Sequence, residues 1–170
     1  GVEVGNRSII GMNFRMNELT GAVALAQGRK LDHILETLRA KKAILKASLK
    51  DIPGLGFRTI NDPGECGTLL TLLFDSKEKA AAFCKIVGTA TVSTSGWHVY
   101  NNMEQILNKV TAFPANCPYS CPRFETQVEY RKHMLPQTDD ILERAVNISV
   151  GVVDKGLGAA YGININTPDD

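Results

Sequence analysis

No run in this 170-residue chain approaches the ~18 consecutive apolar residues that a membrane-crossing helix needs. A basic opening followed by an apolar core and a small-residue cleavage site is also missing. A soluble, cytoplasmic protein is the expectation that follows. Charge of one sign is lacking too. Nineteen Lys and Arg against 18 Asp and Glu leave a formal net charge of +1, spread along helix faces, so neither a nucleic-acid partner nor an anionic membrane surface is expected. Cysteine is sparse: Cys117 and Cys121 are separated by a three-residue spacer, but no second Cys pair or His pair completes a tetrahedral set. No metal is expected, and the four cysteines read as thiols. Internal repeats and low-complexity tracts are absent.

With 44% hydrophobic and 22% charged residues, the chain has the make-up of a globular domain able to bury its own core. Its organising stretch is residues 11–49. Met16, Leu19, Val23, Ala26, Leu31, Ile34, Leu35, Leu38, Leu45 and Leu49 recur at three- and four-residue steps, the apolar stripe of a helix. Gly28 interrupts it. An interior glycine costs about 1 kcal/mol relative to alanine, so two helical segments bent near residues 27–30 are predicted, the first capped by Asn17.

Beyond a turn at residues 53–56, alternation predicts a strand over 57–60, and the run 68–74 predicts one buried on both faces. Asp75 and Glu78 have capping-box spacing for a helix over 76–87, closed by Gly88. Strand propensity over 89–95 predicts another strand, and residues 103–110 a short helix. Pro114, Pro118 and Pro122 keep the next stretch irregular up to a helical turn near 124–132. Thr138 is placed to cap a helix that has Asp139 and Asp140 in its first turn and reaches Val146. Ile148, Val150 and Val152 alternate as a last strand, and residues 167–170 read as a loose end.

Two groups of residues could carry chemistry. Asn13 and Arg15 precede a helix start, where unpaired N–H groups and the helix dipole favour an anion; an amide and a guanidinium there suit a phosphate. The competing reading is a helix cap and a salt bridge. Trp97, His98 and Tyr100 crowd one loop, offering flat faces, polar tips and an imidazole to a polar ligand, or simply packing the domain edge beside an exposed histidine. His33 and His133 have no motif around them and read as surface residues.

The block Asn13-Phe14-Arg15-Met16-Asn17-Glu18-Leu19, followed by Ala22, Ala24, Leu25, Ala26, Gln27 and Lys30-Leu31-Asp32, resembles the signature N-(Y/F)-R-M-x-E-(L/I)-x-A-A-x-x-L-x-Q-L-x-K-L of DegT/StrS-type sugar aminotransferases. It departs at Gly21 and Gly28. Leu135-Pro136-Gln137-Thr138-Asp139-Asp140-Ile141-Leu142 resembles the family's late L-P-x-(T/S)-x-x-(D/E) helix start, with Ile141 at the acidic position, so the resemblance spans about residues 11–150.

The resemblance implies pyridoxal 5′-phosphate as cofactor and amino transfer from glutamate or glutamine to a keto-sugar. That sugar would be a nucleotide-linked keto-hexose, or an 8-keto-3-deoxyoctulosonate of the kind used in lipopolysaccharide. It implies an α/β architecture, the α+β small domain of a fold-type I aminotransferase: a long bent helix, then a small, mainly antiparallel sheet with flanking helices. The expected layout is 1–13 as a lead-in from a large domain, 14–52 as connecting and interface helices, and 53–170 as the small domain. Asn13, with Arg15, would reach the cofactor phosphate of a second subunit, in a homodimer formed through the 11–49 helices. Trp97, His98 and Tyr100 would face the sugar. No lysine here stands in the S-F-x-x-x-K setting of the family's covalent lysine, so the chain is expected to be a C-terminal part, inactive alone. The alternative is a non-catalytic dimerisation domain.

Overall fold

The computed structural model of the chain describes residues 16–112, 114–123, 128–154 and 159–169. The described part of the organising stretch is two helices: α1 spans Glu18–Gly28 and α2 spans Leu31–Leu49, with a break at Arg29 and Lys30. Asn17 caps α1 as expected, its Oδ1 accepting from the Thr20 N–H at 2.8 Å. The two helices differ in what they bury. Ile34, Leu38, Leu45 and Leu49 of α2 pack on the core, whereas α1 has no buried residue.

Three antiparallel strands form the sheet in the order β1, β2, β3, with β1 at Leu55–Phe57, β2 at Leu69–Phe74 and β3 at Ala145–Ser149. Leu70 faces Ile148 and Leu72 faces Val146 across the central pair, and side chains alternate between sheet faces, so these four share the inner face. Together with Leu38, Val150, and Ala80 and Cys84 of α3 (Lys77–Val87), they make the core. The opposite face carries Leu69, Thr71 and Leu73, all half-buried, so β2 is not covered on both sides. There Thr71 Oγ1 donates to Asn147 Oδ1 at 2.8 Å, a polar pair that a dry face would not hold.

Several boundaries differ from the sequence expectation for local reasons. β1 begins two residues early, and the strand expected at 89–95 is a 3-10 turn over Val92–Thr94. Hydroxyls cause the second change: Thr94 Oγ1 donates to the Thr91 carbonyl at 2.9 Å and Ser95 Oγ to the Val92 carbonyl at 2.7 Å, satisfying backbone acceptors that a ladder would need. The cap of α3 is Ser76, which accepts from the Lys79 N–H at 3.3 Å, while Asp75 pairs with Lys79 Nζ at 2.6 Å. Gly88 closes that helix in the left-handed region (φ 74°).

The expected 103–110 helix is a single turn, α4, at Glu104–Leu107. Of the turn expected near 124–132, residues 124–127 lie outside the described residues, and 128–132 are not helical. The last helix, α5, spans Pro136–Arg144 and starts on Pro136, whose missing N–H needs no cap, so Thr138 sits inside it. Val146 falls in β3 rather than in this helix, and Val152 is exposed beyond the strand. The chain end is not loose where it is described: Lys41 Nζ, on α2, donates to the Thr167 carbonyl and pairs with Asp169 at 2.8 Å.

Candidate functional site

The described start of α1 is exposed. Met16, Leu19, Val23 and Leu25 are each more than half exposed, with Leu19 at 75%. Among the described residues, none covers this apolar row beside the motif. Asn13 and Arg15, the candidate phosphate ligands, lie outside the described residues. Just C-terminal to them, the α1 entrance presents its capped N–H groups and Glu18 to solvent.

The second candidate group sits on two consecutive 3-10 turns, Gly96–His98 and Tyr100–Asn102. Val99, 3% exposed, anchors the loop from below, and Asn102 Nδ2 closes it by donating to the Gly96 carbonyl at 2.9 Å. His98 is exposed; the side chain of Trp97 lies outside what the structure describes. Tyr100 is held by α5. Its hydroxyl donates to the Asp139 carboxylate, 2.8 and 2.9 Å from the two oxygens, and accepts from the Leu135 N–H at 3.1 Å. Burial and the Asp139 carboxylate push its phenol above the ordinary value, so it stays protonated as a donor. The hydroxyl is thereby committed inward, and what Tyr100 can offer a ligand is its ring.

Asp139 gathers more than tyrosine. Asn101 Nδ2 donates to it at 2.8 Å, and His133 Nδ1 lies 3.5 Å from its other oxygen. His133 and Asp139 also line an open polar depression of about 730 Å³, with Asp75, Ser76, Lys77 and Arg144 among its other residues. Arg144 bridges it, holding Asp140 at 2.8 Å and the Phe74 carbonyl at 2.8 Å; the Arg144 bond keeps the Asp140 carboxyl below its ordinary range.

Reading the sequence alone assigned Asp139 only to the helix dipole and His133 to the surface. The convergence with Tyr100 crosses 39 positions, and no local spacing signals it. Among the described residues no group of three or more His, Cys, Asp or Glu could hold a metal ion, and no described helix is long and apolar enough to cross a membrane. All four cysteines are free thiols; Cys84 is buried, which raises its pKa. The two most buried lysines are spoken for, Lys41 by the chain end and Lys42 by Glu65 at 2.5 Å.

The model of the DegT/DnrJ/EryC1/StrS aminotransferase family matches residues 3–153, from before the α1 motif to just past β3. The chain therefore belongs to this aminotransferase family, whose members are in general pyridoxal-phosphate-dependent aminotransferases. The small antiparallel sheet with flanking helices is compatible with an α/β enzyme of that kind.

Proposed function

We propose that this chain is the small-domain and interface part of a fold-type I aminotransferase that moves an amino group from glutamate or glutamine to a keto-sugar. The observation that carries the reading is the uncovered α1. A helix with no buried residue and an apolar row at Met16, Leu19 and Val23 needs a partner surface, and the family signature lies on it. We assign that surface to a homodimer through the 11–49 helices, with residues 1–13 leading in and 53–170 forming the small domain.

Bound pyridoxal phosphate supplies the electron sink for amino transfer. The residues of this chain suit its anionic end: Asn13 offers an amide and Arg15 a guanidinium, directly ahead in sequence of a helix entrance whose described residues are exposed. In this reading they hold the phosphate of the partner's cofactor. Trp97, His98 and the ring of Tyr100 orient the keto-sugar and exclude water from its carbonyl face. The covalent lysine is supplied from outside residues 1–170, and the enzyme works in the cytoplasm.

The test is cofactor affinity in the intact enzyme. Asn13→Ala and Arg15→Ala are expected to weaken phosphate-dependent retention of pyridoxal phosphate about 10- to 100-fold each, since a charge-assisted bond contributes about 1.5–3 kcal/mol. The readout is cofactor absorbance after dialysis. Unchanged retention in both variants overturns the phosphate role. A dimer that binds no pyridoxal phosphate at all favours the second reading, a non-catalytic dimerisation domain, which the same exposed α1 row supports.

A further inference from the structure

A closed ring of hydrogen bonds joins the loop at Tyr100 and Asn101 to the entrance of α5. The Asp139 side chain, 13% exposed, accepts from the Tyr100 hydroxyl at 2.8 and 2.9 Å and from the Asn101 amide at 2.8 Å. Return bonds run the other way: the Leu135 N–H donates to Tyr100 Oη at 3.1 Å, and the His133 N–H donates to Asn101 Oδ1 at 2.8 Å. His133 reaches that position with φ at 59°, a left-handed conformation uncommon outside glycine, and the bond to Asn101 is what holds it there. An ionised carboxylate accepts more strongly than a neutral group, so Asp139 is the member on which the ring depends most.

We infer that Asp139 is a positioning residue for the acceptor substrate: it touches no reacting atom, and it fixes the loop that presents Trp97, His98 and the Tyr100 ring. This rests on the sugar-binding role proposed above for that loop. Without the carboxylate, the Tyr100 hydroxyl and the Asn101 amide lose their shared acceptor, and the two 3-10 turns are free to open locally. Val99, buried beneath the loop, keeps the segment attached, so the loss is one of orientation and not of the fold. The role proposed for this loop concerns the acceptor sugar and not the amino donor, so the two half-reactions are expected to respond differently.

The experiment uses the pyridoxal-phosphate-loaded full-length enzyme, with Asp139→Ala and Asp139→Asn beside the wild type. The donor half is driven with glutamate and with glutamine and followed by the cofactor's own absorbance. The acceptor half is driven with dTDP-4-keto-6-deoxyglucose and, separately, with 8-keto-3-deoxyoctulosonate. In Asp139→Ala the acceptor-half kcat/KM is expected to fall about 10- to 100-fold, the size of effect that a misplacement near 1 Å produces, while the donor half changes by less than about twofold. Asp139→Asn, whose amide oxygen still accepts from Tyr100, recovers most of the loss. Amide exchange over residues 99–102 speeds up in the alanine variant and stays near wild type in the asparagine variant. Equal slowing of both halves, or no change in either, overturns the positioning role while leaving the aminotransferase reading intact. A wild type that completes the donor half but accepts neither sugar removes the keto-sugar reading, and this inference with it. A wild type inert to both donors removes the aminotransferase reading itself.

Discussion

Lys42 Nζ lies 2.5 Å from Glu65 Oε1, with the lysine side chain 7% exposed and the glutamate 24%, so α2 grips the loop before β2 through a largely desolvated ion pair. Burial acts against the Glu65 charge. The Lys42 bond and charge, the Gly67 N–H and the Arg58 charge outweigh it and hold the carboxyl below its ordinary 4.5. Arg39 reinforces the grip by donating to the Glu65 and Gly64 carbonyls at 2.7 and 2.6 Å. Because the folded pKa is the lower one, the unfolded chain binds the extra proton, and the pair's stabilisation is complete above the ordinary value. It is lost as pH falls through the depressed one. Glu65→Gln is expected to destabilise by roughly 1–3 kcal/mol at neutral pH and to flatten the fall in stability below the ordinary carboxyl value of 4.5. Urea titrations at several pH values read both.

Gly162 bridges to Ser149 in parallel, with the Ser149 N–H donating to the Tyr161 carbonyl and the Ile163 N–H to the Ser149 carbonyl, both at 2.9 Å. A Cβ at this position would sit 2.2 Å from the Ser149 carbonyl oxygen and 2.6 Å from its nitrogen, both backbone atoms. Gly162→Ala is therefore expected to peel residues 161–163 away from β3 and cost about 1–3 kcal/mol. Thermal unfolding measures the cost, and faster exchange of the Ile163 amide shows where it arises.

Leu72 is 1% exposed at the centre of the sheet, opposite Val146. Leu72→Ala removes apolar contact and leaves a cavity, with an expected loss of about 2–5 kcal/mol by chemical denaturation. The neighbouring Thr71→Val should cost far less than this: it unpairs Asn147 on the half-open face, where water can replace the lost bond.

Leu19 and Val23 lie on α1, exposed by 75% and 52%. Replacing both with aspartate is expected to change the stability of the separated subunit by no more than about 0.5 kcal/mol per site, because neither contacts the core. The same change should lower the dimer fraction at a given concentration. Sedimentation analysis distinguishes the outcomes, and an undiminished dimer would place the interface elsewhere.

How much of this was legible in the residues depended on range. The α1 cap at Asn17, the break after Gly28, the Gly88 close and the β2 run were readable because each depends on neighbours within four positions. The turn at Val92–Thr94 was missed although it is local, because strand propensity measures fit to a pleated surface while Thr94 and Ser95 turn their hydroxyls on the backbone three positions earlier and Thr91 pairs its hydroxyl with Ser93. In the candidate site, the loop bearing Trp97, His98 and Tyr100 was readable as a concentration of ligand-type side chains, and its dependence on Asp139 was not.

By itself the sequence determined the helical stripe, the caps and turns, and the aminotransferase family, since these live in periodicity and in short motifs. Only tertiary structure decided that α2 packs one face on the core while no described residue of α1 is buried, that Lys41 ties down residues 167–169, and that Asp139 takes the Tyr100 hydroxyl from 39 positions away. Such pairings are set by which surfaces the folded chain brings together, and free energy from burial and desolvated charge exists only once they meet.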